Sequence, residues 1–442
     1  MIFLNSKESV IDDIFSIPEG WNIDRMISLG KFYKGNNITK SELVDKGFPC
    51  ILYSHIYTKF DRIFTEVDSY IDENKFLIST KIKKGDFLFT SSGETVEDIG
   101  KCILYNGENN ISIGGDIIVF SLFDQTKFDN KFLSYVFNSD YFNYQKSSNS
   151  NGEIVVHIYE KQLREIKFTY PFHSEQNLIS KYLDKKTEKI DSLIEKIKKK
   201  IELLKEQKTA LINQYVTKGL DLNIELKDTG ISYIGKIPNH WTITRIKFVS
   251  EIINGFAFPS ESFSKDNPIP VIRIGDINQP INLDKSMKVN SDTLSKYQEF
   301  CTRKNDILVA MTGGTIGKSA LFSSHEISLI NQRVCAFRSN SKVNQKFLYL
   351  FITSLIFKLQ VDLNCIGGAQ PNIGKDELMN FHIVLPPLDE QKEIANILNR
   401  KMSILEKIIK KETNRIFLMH EYRQSLISSV ITGKIRINED MI

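Results

Sequence analysis

No apolar run in this 442-residue chain approaches the roughly 18–20 residues that a membrane-spanning helix needs, so a membrane is not among the expected partners. The N-terminus meets lysine and glutamate within its first eight residues and offers neither the apolar centre nor the cleavage site of a signal peptide. Cysteine is sparse. Cys50, Cys102, Cys301, Cys335 and Cys365 are odd in number and far apart, with no Cys-x-x-Cys and no histidine at a zinc-ligand spacing. That pattern argues against a disulfide framework and a zinc finger and predicts free thiols in a reducing cytoplasm.

Catalytic signatures are missing as well. There is no H-E-x-x-H, no G-x-S-x-G, no glycine-rich dinucleotide fingerprint and no nuclease-like cluster of carboxylates and lysine. Gly313-Gly-Thr-Ile-Gly-Lys-Ser319 approaches the phosphate-binding pattern G-x-x-x-x-G-K-[ST], but the required leading glycine falls on Thr312. Leu385-Pro-Pro-Leu388 lacks the leading Asn or Asp and the aromatic of the amino-methyltransferase motif. The seven histidines are scattered, and His157 and His173 read as surface or packing residues. The chain is expected to be non-catalytic, with no metal and no cofactor of its own.

What the chain does contain, it contains twice. Glu175-Gln176 opens one long amphipathic stretch and Glu390-Gln391 opens another, 215 positions later. Leu183, Ile190, Ile197, Leu204 and Leu211 fall seven apart, interleaved with Thr187, Ile194, Ile201, Lys208 and Tyr215. The same offset gives Leu398, Leu405, Glu412, Met419 and Leu426, interleaved with Met402, Ile409, Ile416, Arg423 and Val430. Most of these positions are apolar, which predicts two coiled-coil helices, each the simplest partner of the other. Lys208 and Arg423 interrupt the seam at matching places; a charge there either fixes register or snorkels to solvent.

Ahead of each helix lies a globule with matching phrases. Ile17-Pro-Glu-Gly-Trp21 is echoed by Ile237-Pro-Asn-His-Trp241, and these hold the only two tryptophans. Phe48 to Tyr53 matches Ile269 to Ile274, and Lys84 to Phe89 matches Lys304 to Val309, each of the latter a turn and a buried strand. Ile117–Phe120 and Val334–Phe337 read as strands, and Lys131 to Phe142 and Gln345 to Leu359 as helices. Asp221 to Gly235 reads as a connector. The organisation is therefore globule (1–173, its residues 1–16 a leader), helix (174–219), globule (220–388) and helix (389–436). The predicted fold class is α+β: two mixed globules, two long helices in an antiparallel coiled coil, and a pseudo-two-fold repeat. Antiparallel pairing would hold the globules apart, as suits two separated sites on a DNA duplex.

Charge follows the same division. Residues 1–173 carry 19 basic and 24 acidic side chains, whereas the two helical stretches carry 11 against 7 and 10 against 6. A DNA reader with so little basic excess would depend on local patches and on a basic partner. The candidate DNA contacts are polar residues in matching loops. In the second globule these are Thr312, Thr315, Lys318, Asn331, Gln332, Arg333, Gln370 and Asn372; in the first, Ser91, Ser92, Glu94 and Lys101, with the loop from Ser147 to Asn151. Arginine suits guanine and amides suit adenine in the major groove. Ser54, His55 and Tyr57 in one globule, and Asp276 and Asn278 in the other, are further positions where the copies differ.

Taken in order, these motifs resemble the specificity subunit of a type I restriction-modification system. The resemblance covers nearly the whole chain. It rests on the Ile-Pro-x-x-Trp openings, Gly230 to Gly235, Pro49 to Phe60, Gly367-Gly-Ala-Gln-Pro-Asn372, Leu385 to Gln391 and Val430-Ile-Thr-Gly-Lys434. The first globule departs at Tyr170-Pro-Phe-His-Ser-Glu-Gln176 and has no clear copy of Gly-Ala-Gln-Pro-Asn. The resemblance implies two target recognition domains reading an asymmetric bipartite site on double-stranded DNA. It implies two methyltransferase subunits that use S-adenosylmethionine, and restriction subunits that use ATP and Mg. Competing readings are a coiled-coil scaffold with no DNA role, a nucleotide-dependent enzyme built on the Gly313 loop, and a modification-only specificity subunit.

Overall fold

The computed structural model describes residues 17–35, 38–93, 99–148, 156–221, 223–278, 280–365 and 371–442. The leader at 1–16, Glu94, Gln370 and the loop residues from 149 to 152 lie outside the described residues. The chain divides into two compact units, Met1–Ile197 with Asn414–Ile442, and Lys198–Thr413. The division falls inside both long helices. Each unit thus contains one globule, the start of the helix that follows it, and the end of the other helix.

In the first unit, Asn22–Arg25 pairs antiparallel with Lys167–Tyr170, so the chain enters and leaves the globule side by side. A five-stranded sheet runs in the order Gly30–Lys34, Ile117–Leu122, Phe87–Thr90, Cys102–Tyr105, Ile63–Phe64. Phe87 and Phe89 face a core of Phe132, Phe137, Phe142 and Phe168, and Leu88 faces Ile51, Ile56, Ile111 and Ile113 on the other side. Both faces are covered, which is why Ile117–Leu122 is buried at every position and reads as an unbroken apolar run. A second sheet has the order Tyr70–Ile71, Phe48–Ile51, Ile111–Ile113, Lys81–Ile82.

The second unit repeats the plan. Thr242–Arg245 pairs with His382–Leu385. Its main sheet runs Ser250–Asn254, Val334–Ser339, Ile307–Ala310, Ser319–Leu321, and its smaller one Met287–Val289, Ile269–Ile272, Leu329–Ile330. The turn before the central strand is built alike in both copies. Gly85 and Asn305 adopt left-handed backbone, φ 90° and 72°. The carboxylates of Asp86 and Asp306 accept from the amides of Lys83 and Arg303 at 2.9 and 2.8 Å.

Two local expectations change. Each predicted aromatic helix is two helices, Asn130–Phe137 with Asp140–Ser148, and Gln345–Ile352 with Leu355–Asn364. A serine makes the break. Ser139 Oγ donates to the Val136 carbonyl and accepts from the Phe142 amide; Ser354 does the same between Phe351 and Phe357. A short hydroxyl side chain that bonds the backbone in this way ends one helix and caps the next. The connector is also more ordered than a linker: Leu226–Asp228 and Lys236–Pro238 form an antiparallel hairpin.

The long helices span His173–Lys218 and Leu388–Ile431. In the first unit Leu183, Ile190 and Ile194 share a core with Leu426, Ile427 and Val430. In the second, Ile212 and Val216 share one with Leu398, Met402 and Leu405. Leu204, Leu211 and Met419 are half-buried and Ile197 is buried. Within the second unit, Lys200, Lys208 and Tyr215 meet Glu412, Glu406 and Lys401 in turn, so the helices run antiparallel. The repeated Glu-Gln pairs tie helix to globule. Glu175 and Glu390 accept from the indole N–H of Trp21 and Trp241 at 3.3 and 3.0 Å. Gln176 accepts from the Asp129 amide and donates to the Pro171 carbonyl, both at 2.9 Å; Gln391 repeats this with Asn344 and Pro386 at 2.8 Å. Each tryptophan is then covered by a glycine just past the end of a long helix, Gly433 over Trp21 and Gly219 over Trp241. Both glycines have positive φ, 73° and 74°. A side chain there would be strained and would strike the indole or its neighbours.

Candidate nucleic-acid interface

In the second unit three loops are bound into one surface. Ala310 N donates to Lys318 O, Met311 N to Arg333 O, Ile373 N to Met311 O, and Gly313 N to Pro371 O, at 2.8–3.0 Å. Thr312 also bridges to Asn372. The structure therefore brings together Thr312, Thr315, Lys318, Asn331, Gln332, Arg333 and Asn372. Their side chains differ in availability. Thr312 is buried, at 3% exposure, and holds the frame. Thr315 turns its hydroxyl back to the Thr312 carbonyl, and Lys318 Nζ donates to Asn278 Oδ1 at 2.8 Å. Gln332, Arg333 and Asn372 are exposed, and Asn331 is half-buried.

The Gly313 turn does not cradle a phosphate in the P-loop manner. Gly313–Thr315 is a single 3-10 turn inside the hairpin formed by Ile307–Ala310 and Ser319–Leu321. No helix begins there, so the convergent amides of a helix N-terminus are missing.

The first unit has the same frame with different residues on it. Thr90 N donates to Lys101 O, Ser91 N to Asp116 O, and Ile158 N to Ser91 O, at 3.0–3.1 Å. Ser92 pairs with His157 where the second unit pairs Thr312 with Asn372. Of the predicted residues, Ser91 donates its hydroxyl to Asp116 O, and Ser92 Oγ lies 3.2 Å from His157 Nδ1. Lys101 Nζ donates to the Phe60 carbonyl at 2.6 Å. Tyr53 and Tyr57 donate to the Ser92 carbonyl at 3.1 and 3.0 Å, which ties the helix Tyr53–Thr58 to the same loop. His55 accepts from the Leu52 amide, and burial lowers its pKa.

Behind this loop lies a lysine with no counterpart in the other unit. Lys146 is 1% exposed and donates to the carbonyls of Gly100 and Phe137 at 2.6 and 3.3 Å. Burial pulls its pKa down to about 8. In the second unit Val361 packs on Gly317 where Lys146 packs on Gly100.

Sequence comparison by offset missed two positions. Asp116 holds the place of Arg333, because the amides of Ser91 and Met311 donate to their respective carbonyls. His157, read as a packing residue, holds the place of Asn372. The signal was present in the 215-position offset between His157 and Asn372, which also aligns Ile158 with Ile373 and Leu163 with Leu378. Among the described residues, no group of three or more His, Cys, Asp or Glu is arranged to hold a metal ion. No single helix among them is long and apolar enough to cross a membrane.

Doubled α+β globules on paired long helices, each presenting the same loop frame, define a class of protein. The family model for the type I restriction modification DNA specificity domain matches residues 18–203 and again 238–416, and the chain belongs to that family. It is 27% identical over 433 residues to the type I restriction enzyme MjaVIII specificity subunit of Methanocaldococcus jannaschii, spanning 95% of this chain and 94% of that one. It is 24% identical over 212 residues to the EcoKI specificity subunit of Escherichia coli strain K12, spanning 46% and 44%. Two solved structures share the fold. One is a chain from work on complex assembly and conformational transition of the type I R-M system, with a TM-score of 0.67 at 17% identity, covering 95% of this chain and 100% of that one. The other is the HsdS subunit from Thermoanaerobacter tengcongensis, with a TM-score of 0.53 at 16% identity, covering 95% and 99%.

Proposed function

We propose that this chain is the DNA-reading subunit of a type I restriction-modification complex and that each unit reads one half of an asymmetric bipartite site. The observation that carries this is the doubled frame. One set of backbone hydrogen bonds recurs in both units while the side chains on it differ, as two modules reading different bases require. In the second unit the Arg333 guanidinium suits O6 and N7 of guanine, and the amides of Asn331, Gln332 and Asn372 suit adenine. Lys101 and Lys318 occupy the same place in the two frames, their carbonyls accepting from the amides of Thr90 and Ala310, and a lysine there suits a phosphate contact.

Two methyltransferase subunits dock on the long helices and restriction subunits join the assembly. The helices leave large apolar side chains exposed: Leu193, Phe417, Leu418 and Tyr422 in the first unit, Leu203 and Ile404 in the second. Leu203 and Leu418 hold the same place in the two repeats, which suits two copies of one partner. The methyl transfer from S-adenosylmethionine and the work driven by ATP and Mg belong to those partners, in the cytoplasm, and this chain makes and breaks no bonds itself.

The test is co-purification of the tagged chain from its own cells, followed by DNA footprinting of what is recovered. One chain with two methyltransferase subunits, protecting two separated segments of duplex, is expected. Recovery of unrelated proteins that protect no DNA would put a coiled-coil scaffold in its place. A complex that methylates but contains no restriction subunit would identify a modification-only assembly.

A further inference from the structure

The two frames coincide in backbone but not in polarity. At the position defined by the amide of Ser91 or Met311, the first unit carries Asp116 and the second Arg333. Both side chains are exposed. The two residues before Arg333 are Asn331 and Gln332; the two before Asp116 are Gly114 and Gly115. These positions correspond in structure too, because Gly114 N donates to Ile51 O and Asn331 N to Ile272 O, both at 3.0 Å, from matching strands. The second unit therefore presents three donor-bearing side chains on this rim. The first presents one carboxylate on bare backbone, and among the described residues that carboxylate has no hydrogen-bond or ion-pair partner.

An exposed carboxylate beside a phosphate backbone is repelled, so a DNA-facing aspartate needs a specific donor. Exocyclic amino groups in the major groove, N4 of cytosine and N6 of adenine, are such donors. Resting on the DNA-reading role proposed above, we infer that Asp116 is a base-contacting, specificity-determining residue of the first unit, the counterpart of Arg333. The two units read their half-sites with opposite hydrogen-bonding polarity. Asp116 accepts from a cytosine or adenine amino group in one half-site, and Arg333 donates to guanine in the other.

The experiment uses the assembled complex and duplexes that carry each base in turn at every position of its site, with binding measured by competition. The wild type is expected to prefer a base with a major-groove amino group at one position of the first unit's half-site. Asp116→Asn should weaken that preference by about 5- to 150-fold, and Asp116→Arg should move it towards guanine. Both should leave the other half-site and the length of the footprint unchanged. Arg333→Ala should act only on the opposite half-site. Unaltered preferences in both Asp116 variants overturn the inference. So does a loss spread over both half-sites, or an effect of Asp116 and Arg333 variants on the same half-site. A wild-type complex that binds no duplex selectively refutes the DNA-reading role itself and is thereby distinguished from failure of this assignment.

Discussion

Arg423 on the second long helix lies 3.1 Å from Asp191 on the first, and the 215-position repeat carries this pair onto Lys208 and Glu406, which lie 2.6 Å apart. These two seam cations thus each find a carboxylate on the opposing helix, in equivalent places. Snorkelling to solvent would give no such match. Lys208→Glu should destabilise the second unit, and Glu406→Lys in the same chain should restore it, with a coupling of about 0.2–1 kcal/mol in a double-mutant cycle. Purely additive effects would show that the pair does not specify register.

The Gln residues that open each long helix bond the globule with both ends of their amide. Gln391 is 1% exposed, and its removal deprives the half-buried Asn344 amide and the buried Pro386 carbonyl of their partner. Gln391→Ala should cost about 1–3 kcal/mol in urea unfolding, and Gln176→Ala a similar amount. A neutral effect at both sites would mean that water replaces the amide.

Arg338 is bound by two parallel bonds to Asp306, Nε to Oδ1 at 2.9 Å and Nη2 to Oδ2 at 2.8 Å, with Asp306 only 2% exposed. In the first unit the equivalent Asp86 is met by the Tyr33 hydroxyl at 2.8 Å instead. Arg338→Leu leaves a buried carboxylate without its cation and should cost about 3–5 kcal/mol. Thermal unfolding at pH 7 measures this, and a loss below about 1 kcal/mol would contradict it.

Lys146 should give the first unit a pH dependence that Val361, in its place in the second unit, cannot. Its folded pKa, about 8, lies below the ordinary 10.5, so between these values the unfolded chain binds more protons. Stability should therefore rise with pH across that window, by at most about 1.4 kcal/mol per pH unit. Compared with Lys146→Met, the wild-type urea midpoint should gain ground from pH 8 to 10. Parallel curves would show that the ammonium is not buried.

Much of this was legible in the sequence. The constant offset exposed the duplication, and the heptad spacing exposed the paired helices, because both depend on side-chain type at regular intervals. What stayed hidden depends on tertiary partners. Ser139 and Ser354 break helices that their aromatic neighbours would otherwise continue, and only the capping bonds reveal it. Thr312 looked like a DNA contact and is buried, held where its loop bonds the Pro371 carbonyl and bridges to Asn372. Asp116 directly precedes Ile117 as Arg333 precedes Val334, and His157 precedes Ile158 as Asn372 precedes Ile373. The side-chain types at both positions differ so much, however, that only the shared backbone bonds reveal the equivalence.

Arg333→Ala separates base reading from phosphate contact. Loss of a base contact should relax one position of one half-site by about 1–3 kcal/mol. An even loss over all sequences, with a shallower dependence on salt, would make Arg333 a phosphate ligand.

The most direct measurement is a genome-wide map of methylated adenine in cells with and without this chain. Loss of one bipartite, asymmetric motif on deletion, and its return when the chain is restored, is the expected result. An identical map in both strains, with methyltransferase subunits present and active, would contradict the reader role.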